Sequence, residues 1–231
     1  MTDRRLAKTE ACVFDAYGTL LDFNSAVMQC RDTIGDDAER LSDIWRQKQL
    51  QYTWLRSLMG VHADFWQVTR EALDFALAMV GIENEELRVQ LMDLYRKLET
   101  FPEVTNVLAR LRDAGVRTAI LSNGAPDMLN DAVAAAGIDT LIDDVLSAED
   151  VGVYKPDFRV YQLAVDMLGV AKKNICFISS NGWDTAGAAA FGYRVVWVNR
   201  NGQPVEYLPN QPDIEIDTLT SLPKLLGLGP S

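Results

Sequence analysis

The chain has 231 residues, 48% of them hydrophobic, and a formal charge of −11 from 33 acidic and 22 basic side chains. That length supports one well-cored domain, or a core with one large insertion. The negative balance argues against nucleic acid or an anionic membrane as a partner, and an anionic substrate has to be held by local cations rather than by the overall field.

In chain order, Met1–Lys8 holds no apolar run of secretory type, and no later stretch reaches membrane-spanning length, so a cytoplasmic location is expected. Glu10–Val13 has strand character and leads into Phe14-Asp15-Ala16-Tyr17-Gly18-Thr19-Leu20, where Gly18-Thr19 should end the strand. From about Asn24 to Glu99 there is no proline, and only Gly35, Gly60 and Gly81 interrupt. Leu41, Ile44, Trp45 and Lys48 mark one helical period, and Phe65, Val68, Thr69, Ala72, Leu73 and Ala76 another. This segment reads as an insertion of roughly four helices, closed by Phe101-Pro102. The single histidine, His62, sits amid Val61, Phe65 and Trp66 and reads as structural.

Strand and helix then alternate. Val104, Val107, Leu108 and Leu111 recur at helical spacing before Gly115, and Val116–Leu121 is a strand ending at Ser122-Asn123-Gly124. Pro126 opens a helix that Gly137 closes, Val145-Leu146 is a short strand, and Asp157 caps a helix ended by Gly169. Ile175–Ser180, a small-residue helix from Asp184 to Phe191, Arg194–Val198 and an edge strand at Asp213–Ile216 complete the pattern. The fold class expected is α/β, a doubly wound parallel sheet of Rossmann-like type. The core takes 1–20 and 100–231, and the helical insertion after the first strand takes 21–99. Cys12, Cys30 and Cys176 form no Cys-x-x-Cys pair, and Cys12 and Cys176 lie in apolar strand runs, as free thiols of a reducing compartment do.

A carboxylate at the end of a buried strand is costly unless it is used or paired. Polar groups stand at four strand ends or the loops after them: Asp15 with Thr19, Ser122-Asn123, Lys155-Pro156, and Ser179-Ser180-Asn181 with Asp184. A parallel sheet puts all carboxyl ends on one edge, so these groups can converge on one catalytic centre.

The strand-end Asp-x-x-Gly-Thr-Leu at Asp15–Leu20, Ser122-Asn123-Gly124, Lys155-Pro156 and the acidic loop at Asp184 resemble the haloacid dehalogenase superfamily. More narrowly, Phe14–Leu20, Trp45–Leu50 with Tyr52–Arg56, and Ser179–Asp184 are similar to the L-2-haloacid dehalogenases. The resemblance implies that the insertion is a cap and that Asp15 is a nucleophile. It would displace halide from the α-carbon of a short L-2-haloacid, forming an ester that water opens at the Asp15 acyl carbon to release a D-2-hydroxy acid. Asp184 would activate that water, positioned by Asn181 and Lys155; Lys155 would keep Asp15 ionised, and Thr19, Tyr161 and Ser179 would orient the cluster. The substrate carboxylate is assigned to the Ser122 hydroxyl and the backbone N–H groups of Ala16 and Tyr17, and the halide to Arg46 and Asn123. Tyr17, Leu50, Phe65 and Trp183 are the expected apolar wall.

Two alternatives within the fold are a magnesium-dependent phosphatase and a catalytically silent binding protein. Tyr17 stands where such a phosphatase carries its second acid, and Ser180 and Asn181 stand where its terminal loop carries acids. No metal or other cofactor is therefore expected. The apolar cap residues Trp45, Tyr52, Trp54, Leu55 and Leu58 are divided between packing on the core and a homodimer seam, the latter as the family suggests.

Overall fold

The computed structural model describes residues 3–229. In chain order the elements are β1 (Ala11–Phe14), α1 (Ser25–Gln29), α2 (Arg31–Ile34), α3 (Ala38–Met59), α4 (Phe65–Val80), α5 (Glu85–Tyr95), α6 (Val104–Asp113), β2 (Arg117–Ser122), α7 (Pro126–Ala135), β3 (Asp144–Ser147), α8 (Phe158–Leu168), β4 (Ile175–Ser179), α9 (Gly182–Phe191), β5 (Arg194–Val198), β6 (Ile214–Ile216) and α10 (Leu222–Leu225). All strand pairs are parallel, in the order β3-β2-β1-β4-β5-β6. Helices α6–α9 pack on the sheet.

β1 is central and fully buried along its length, which is why Ala-Cys-Val-Phe can be apolar on both faces. Phe14 is in register with Ile120 of β2 and Ile178 of β4. Asp15, Ser122 and Ser179 therefore leave the sheet at neighbouring points on one edge. The strand order reverses at β1, the position where open α/β sheets form a crevice. Gly18 sits at φ +87°, and a Cβ there would stand 2.9 Å from Ser180 Oγ, so the turn after β1 requires glycine on both counts.

The cap is built by the helical periods read from the sequence. Phe65, Val68, Thr69, Ala72, Leu73 and Ala76 are all fully buried on one face of α4, which packs along α3. Asp64 Oδ1 accepts from Gln67 N at 2.7 Å and Asn84 Oδ1 from Leu87 N at 2.9 Å, capping α4 and α5. Two linker segments paired by a single antiparallel bridge join cap to core. Asp22 N donates to Glu99 O at 2.8 Å and Phe101 N to Leu20 O at 3.1 Å, on either side of a bridge between Leu21 and Thr100.

The apolar cap residues separate by direction. Trp45 is buried, Tyr52 packs against the core and Trp54 meets Trp183 edge-on with ring centroids 5.3 Å apart, whereas Leu55 and Leu58 face outward with 44% and 85% exposure. No helix among the described residues is long and apolar enough to cross a membrane. Cys12 and Cys176 are buried in register on β1 and β4, and Cys30 is buried in the cap.

Candidate active site

Asp15 is the first residue beyond β1 and is only 6% exposed. Its backbone N–H continues the ladder to Ile178 O at 2.9 Å, so the side chain is fixed at the sheet edge. Oδ1 accepts from Lys155 Nζ at 3.1 Å. Oδ2 accepts from Asn181 Nδ2 at 2.8 Å, Thr19 Oγ1 at 3.3 Å and Ser179 Oγ at 3.4 Å. Both hydroxyls also accept a backbone N–H of the loop after β4: Ser180 N on Thr19 at 2.8 Å, Asn181 N on Ser179 at 3.1 Å. That leaves the Ser179 proton free to point at the carboxylate, while the Thr19 proton has both the carboxylate and Ser180 Oγ within 3.3 Å. The cost of burying Asp15 is thus offset by one cation and three neutral donors.

Lys155 is 1% exposed and lies between two carboxylates, with Nζ 2.8 Å from Asp184 Oδ2 and above the Phe177 ring. Burial alone would push the ammonium down; the charges of Asp15 and Asp184 outweigh it and hold it above the ordinary lysine value. Its backbone N–H donates to Asn123 Oδ1 at 2.9 Å. Asp184 lies in the first turn of α9, fully buried, and Tyr161 Oη donates to its Oδ1 at 2.7 Å. Burial, reinforced by the Asp15 charge, raises Asp184 to about 6, against the opposing pull of Lys155 and Tyr161. The result is a buried carboxylate poised to exchange a proton near neutral pH.

A cleft of about 450 Å³ opens beside this cluster between cap and core, with Gly18, Asn181, Arg46, Leu50, Trp183 and Arg200 among its walls. Arg46 comes from α3. Its guanidinium lies over Phe23 and donates to Gln49 Oε1 at 2.8 Å, and the buried Gln49 is itself held by Thr69 and Tyr95. The cap thus aims one cation into the cleft.

Residues 9–192 match the family model described as haloacid dehalogenase-like hydrolase. The chain belongs to that family. It is 49% identical to (S)-2-haloacid dehalogenase 1 of Pseudomonas sp. (strain CBS-3), covering 94% of this chain and 96% of that one. It is 48% identical to (S)-2-haloacid dehalogenase 4A of Burkholderia cepacia, covering 94% of both. Among solved structures it is similar to the L-2-haloacid dehalogenase from Xanthobacter autotrophicus with chloropropionic acid covalently bound. That likeness has a TM-score of 0.89 and 37% identity over 95% of this chain and 98% of that one.

Within this haloacid dehalogenase-like frame, the expected site residues fall into three groups. Asp15, Thr19, Lys155, Tyr161, Ser179, Asn181 and Asp184 form one connected hydrogen-bonded cluster. Asn181 differs from expectation in direction: its amide donates to Asp15 and to Tyr17 O, not to Asp184. Arg46, Leu50 and Trp183 line the cleft.

The third group lies behind it. Tyr17 and Phe65 are buried and stack on each other with centroids 5.6 Å apart. Ala16 and Ser122 are fully buried, with Ser122 Oγ accepting from Gly124 N at 3.1 Å. Asn123 has its carbonyl oxygen committed to Lys155, while its Nδ2 makes no hydrogen bond among the described residues. His62 pairs with Glu149 at 2.7 Å and lies against Tyr154, a cap–core contact.

Sequence reasoning assigned no role to Gln49 and passed over Arg200. Arg200 lies two residues beyond β5 on the same carboxyl edge, and the strand-end rule applied there would have found it.

Proposed function

We propose that the protein, a hydrolase acting on carbon–halide bonds, converts short L-2-haloalkanoic acids to D-2-hydroxy acids through an ester on Asp15. The observation that carries this reading is the Asp15–Lys155–Asp184 triad combined with the burial of Tyr17. The cation beside the nucleophile is the protein's own ammonium. The residue two positions on, which would have to protonate an alkoxide, is locked in an aromatic stack. Heavier halides are conjugate bases of strong acids and depart without a proton, so this site fits a halide leaving group and lacks what a phosphate ester needs.

The chemistry follows from the hydrogen bonds. Oδ2 of Asp15, held by three neutral donors, remains the carbonyl oxygen, and Oδ1 attacks the α-carbon from behind. The carbon–halogen bond breaks, and the halide is received by Arg46 and the uncommitted Asn123 amide. Asp184 then takes a proton from water as the water oxygen adds to Asp15 Cγ. Asn181, Thr19 and Ser179 stabilise the negative charge that develops on Oδ2. The bond from Cγ to Oδ1 breaks as Asp184 returns its proton to Oδ1, so the hydroxy acid leaves with Oδ1 as its new hydroxyl, and the Asp15 carboxyl gives up the remaining water proton to solvent. Because only the first step touches the α-carbon, its configuration inverts once.

The substrate carboxylate is assigned to Ser122 and the backbone N–H groups of Ala16 and Tyr17, and the α-substituent to Leu50 and Trp183. A cytoplasmic location and a homodimer seam at the outward Leu55 and Leu58 of α3 complete the reading.

L-2-chloropropionate should release chloride and give D-lactate, measured by halide detection and chiral chromatography, with the rate unchanged by EDTA. L-lactate as product, or magnesium-dependent hydrolysis of p-nitrophenyl phosphate without chloride release, would contradict it.

A further inference from the structure

Arg200 is the largest polar commitment at the cleft that the chemistry above leaves unused. It projects from the loop after β5, and its side chain is 14% exposed. Nη1 pairs with Glu103 Oε1 at 2.6 Å, Nη2 donates to Thr19 O at 2.9 Å, and Nε is buried without a partner. The guanidinium carbon lies over the Phe101 ring, 3.7 Å from its centroid.

These contacts coincide with the two linkers that join cap to core. The outgoing linker leaves the core after Thr19, and the returning one re-enters it at Phe101. Their pairing closes with Phe101 N on Leu20 O, and the next carbonyl back, Thr19 O, is the one Arg200 takes. One side chain rooted in the sheet therefore grips both linkers at their core ends. Thr19 also places its hydroxyl on Asp15, while Arg46 and Leu50, on α3 of the cap, contribute to the cap wall of the cleft.

We propose that Arg200 is a positioning residue: by clamping Thr19 and Phe101 it fixes the pivot of the cap, and so the placement of Arg46 relative to Asp15. This rests on the dehalogenase reading for its catalytic consequence, but not for the pivot itself. A loosened pivot withdraws help from the departing halide. Chloride, the poorer leaving group, needs that help more than bromide does, so the ratio of bromide to chloride rates reports cap placement where a general loss of folded protein would not.

Three variants separate the contacts. Glu103→Gln removes the ion pair but leaves Arg200 on Thr19 and Phe101. Arg200→Met with Glu103→Gln removes the clamp without leaving an orphaned carboxylate. Arg200→Lys keeps the charge beside Glu103 and so the fold, while losing the planar fork that reaches two acceptors. Rates with L-2-chloropropionate and L-2-bromopropionate are measured alongside hydrogen exchange at the Asp22 and Phe101 amides.

The double variant and Arg200→Lys should lose about tenfold or more in kcat/KM on the chloro acid, with a raised bromide-to-chloride ratio and faster exchange at both amides. Glu103→Gln should stay within about twofold of the unaltered protein on every readout. An unchanged ratio and unchanged exchange in Arg200→Lys would overturn the proposal, as would Glu103→Gln behaving like the double variant. Absence of halide release from the unaltered protein would overturn the dehalogenase reading alone, and exchange would then decide the pivot.

Discussion

Replacing Lys155 with methionine should lower kcat/KM on L-2-chloropropionate by about 10²–10³-fold, the scale expected when one preorganised electrostatic partner is lost. The ammonium bridges Asp15 at 3.1 Å and Asp184 at 2.8 Å, and all three groups are buried. Without it the two carboxylates face each other uncompensated, and one must take up a proton. A protonated Asp15 cannot attack, and a protonated Asp184 cannot activate water.

The same change should destabilise the fold by about 3–5 kcal/mol at neutral pH, because breaking a buried ion pair leaves charge without a partner. The sign of its pH dependence follows from linkage. A carboxyl group whose folded-state value is raised contributes stability below its unfolded value and loses it as pH rises through the folded value. The deficit in Lys155→Met is therefore largest near neutrality and shrinks toward pH 4, as urea unfolding at two pH values would show. A deficit that grows on acidification would contradict the placement of the charge.

Asp184→Asn should separate the two displacements. Asp15 and Lys155 remain paired, so the first step survives and one equivalent of halide is released. The ester then persists, and steady-state turnover should drop by about 10²–10⁴-fold for want of a general base. Rapid-quench halide measurement would show the burst, and intact-protein mass analysis the adduct. In the unaltered enzyme, Asp184 stands raised to about 6, chiefly by burial and then by the Asp15 charge. Esterification removes that charge, so the acid limb of kcat should lie at or below about pH 6, with activity falling as pH drops through it. A variant with no burst, or with unimpaired turnover, would remove Asp184 from the role.

Much of the scaffold was legible because burial writes a period into sequence. The apolar face of α4 and the strand-end positions of Asp15, Ser122 and Ser179 follow from periods of 3.6 and 2 together with the parallel edge rule. Side-chain direction past a strand end carries no such period. Tyr17 and Phe65 could equally have faced the cleft or the interior, and they face the interior because Tyr95 and Tyr154 complete a buried aromatic cluster drawn from cap and core. Asn181 turned toward Asp15 because the backbone at 180 and 181 is tied to Thr19 and Ser179, an arrangement only the folded loop defines. The strand-end position marks Arg200, but its contacts carry no sequence signal: its partners Thr19, Phe101 and Glu103 lie far away in sequence and include a backbone carbonyl.

The central claim is that the oxygen delivered to the product comes from Asp15. Enzyme in excess over L-2-chloropropionate, in H₂¹⁸O, should yield D-lactate without label in its new hydroxyl, while the peptide containing Asp15 gains ¹⁸O. Label in the hydroxyl of that first-turnover lactate, with an unlabelled Asp15 peptide, would mean that water attacks the α-carbon directly and would contradict the account.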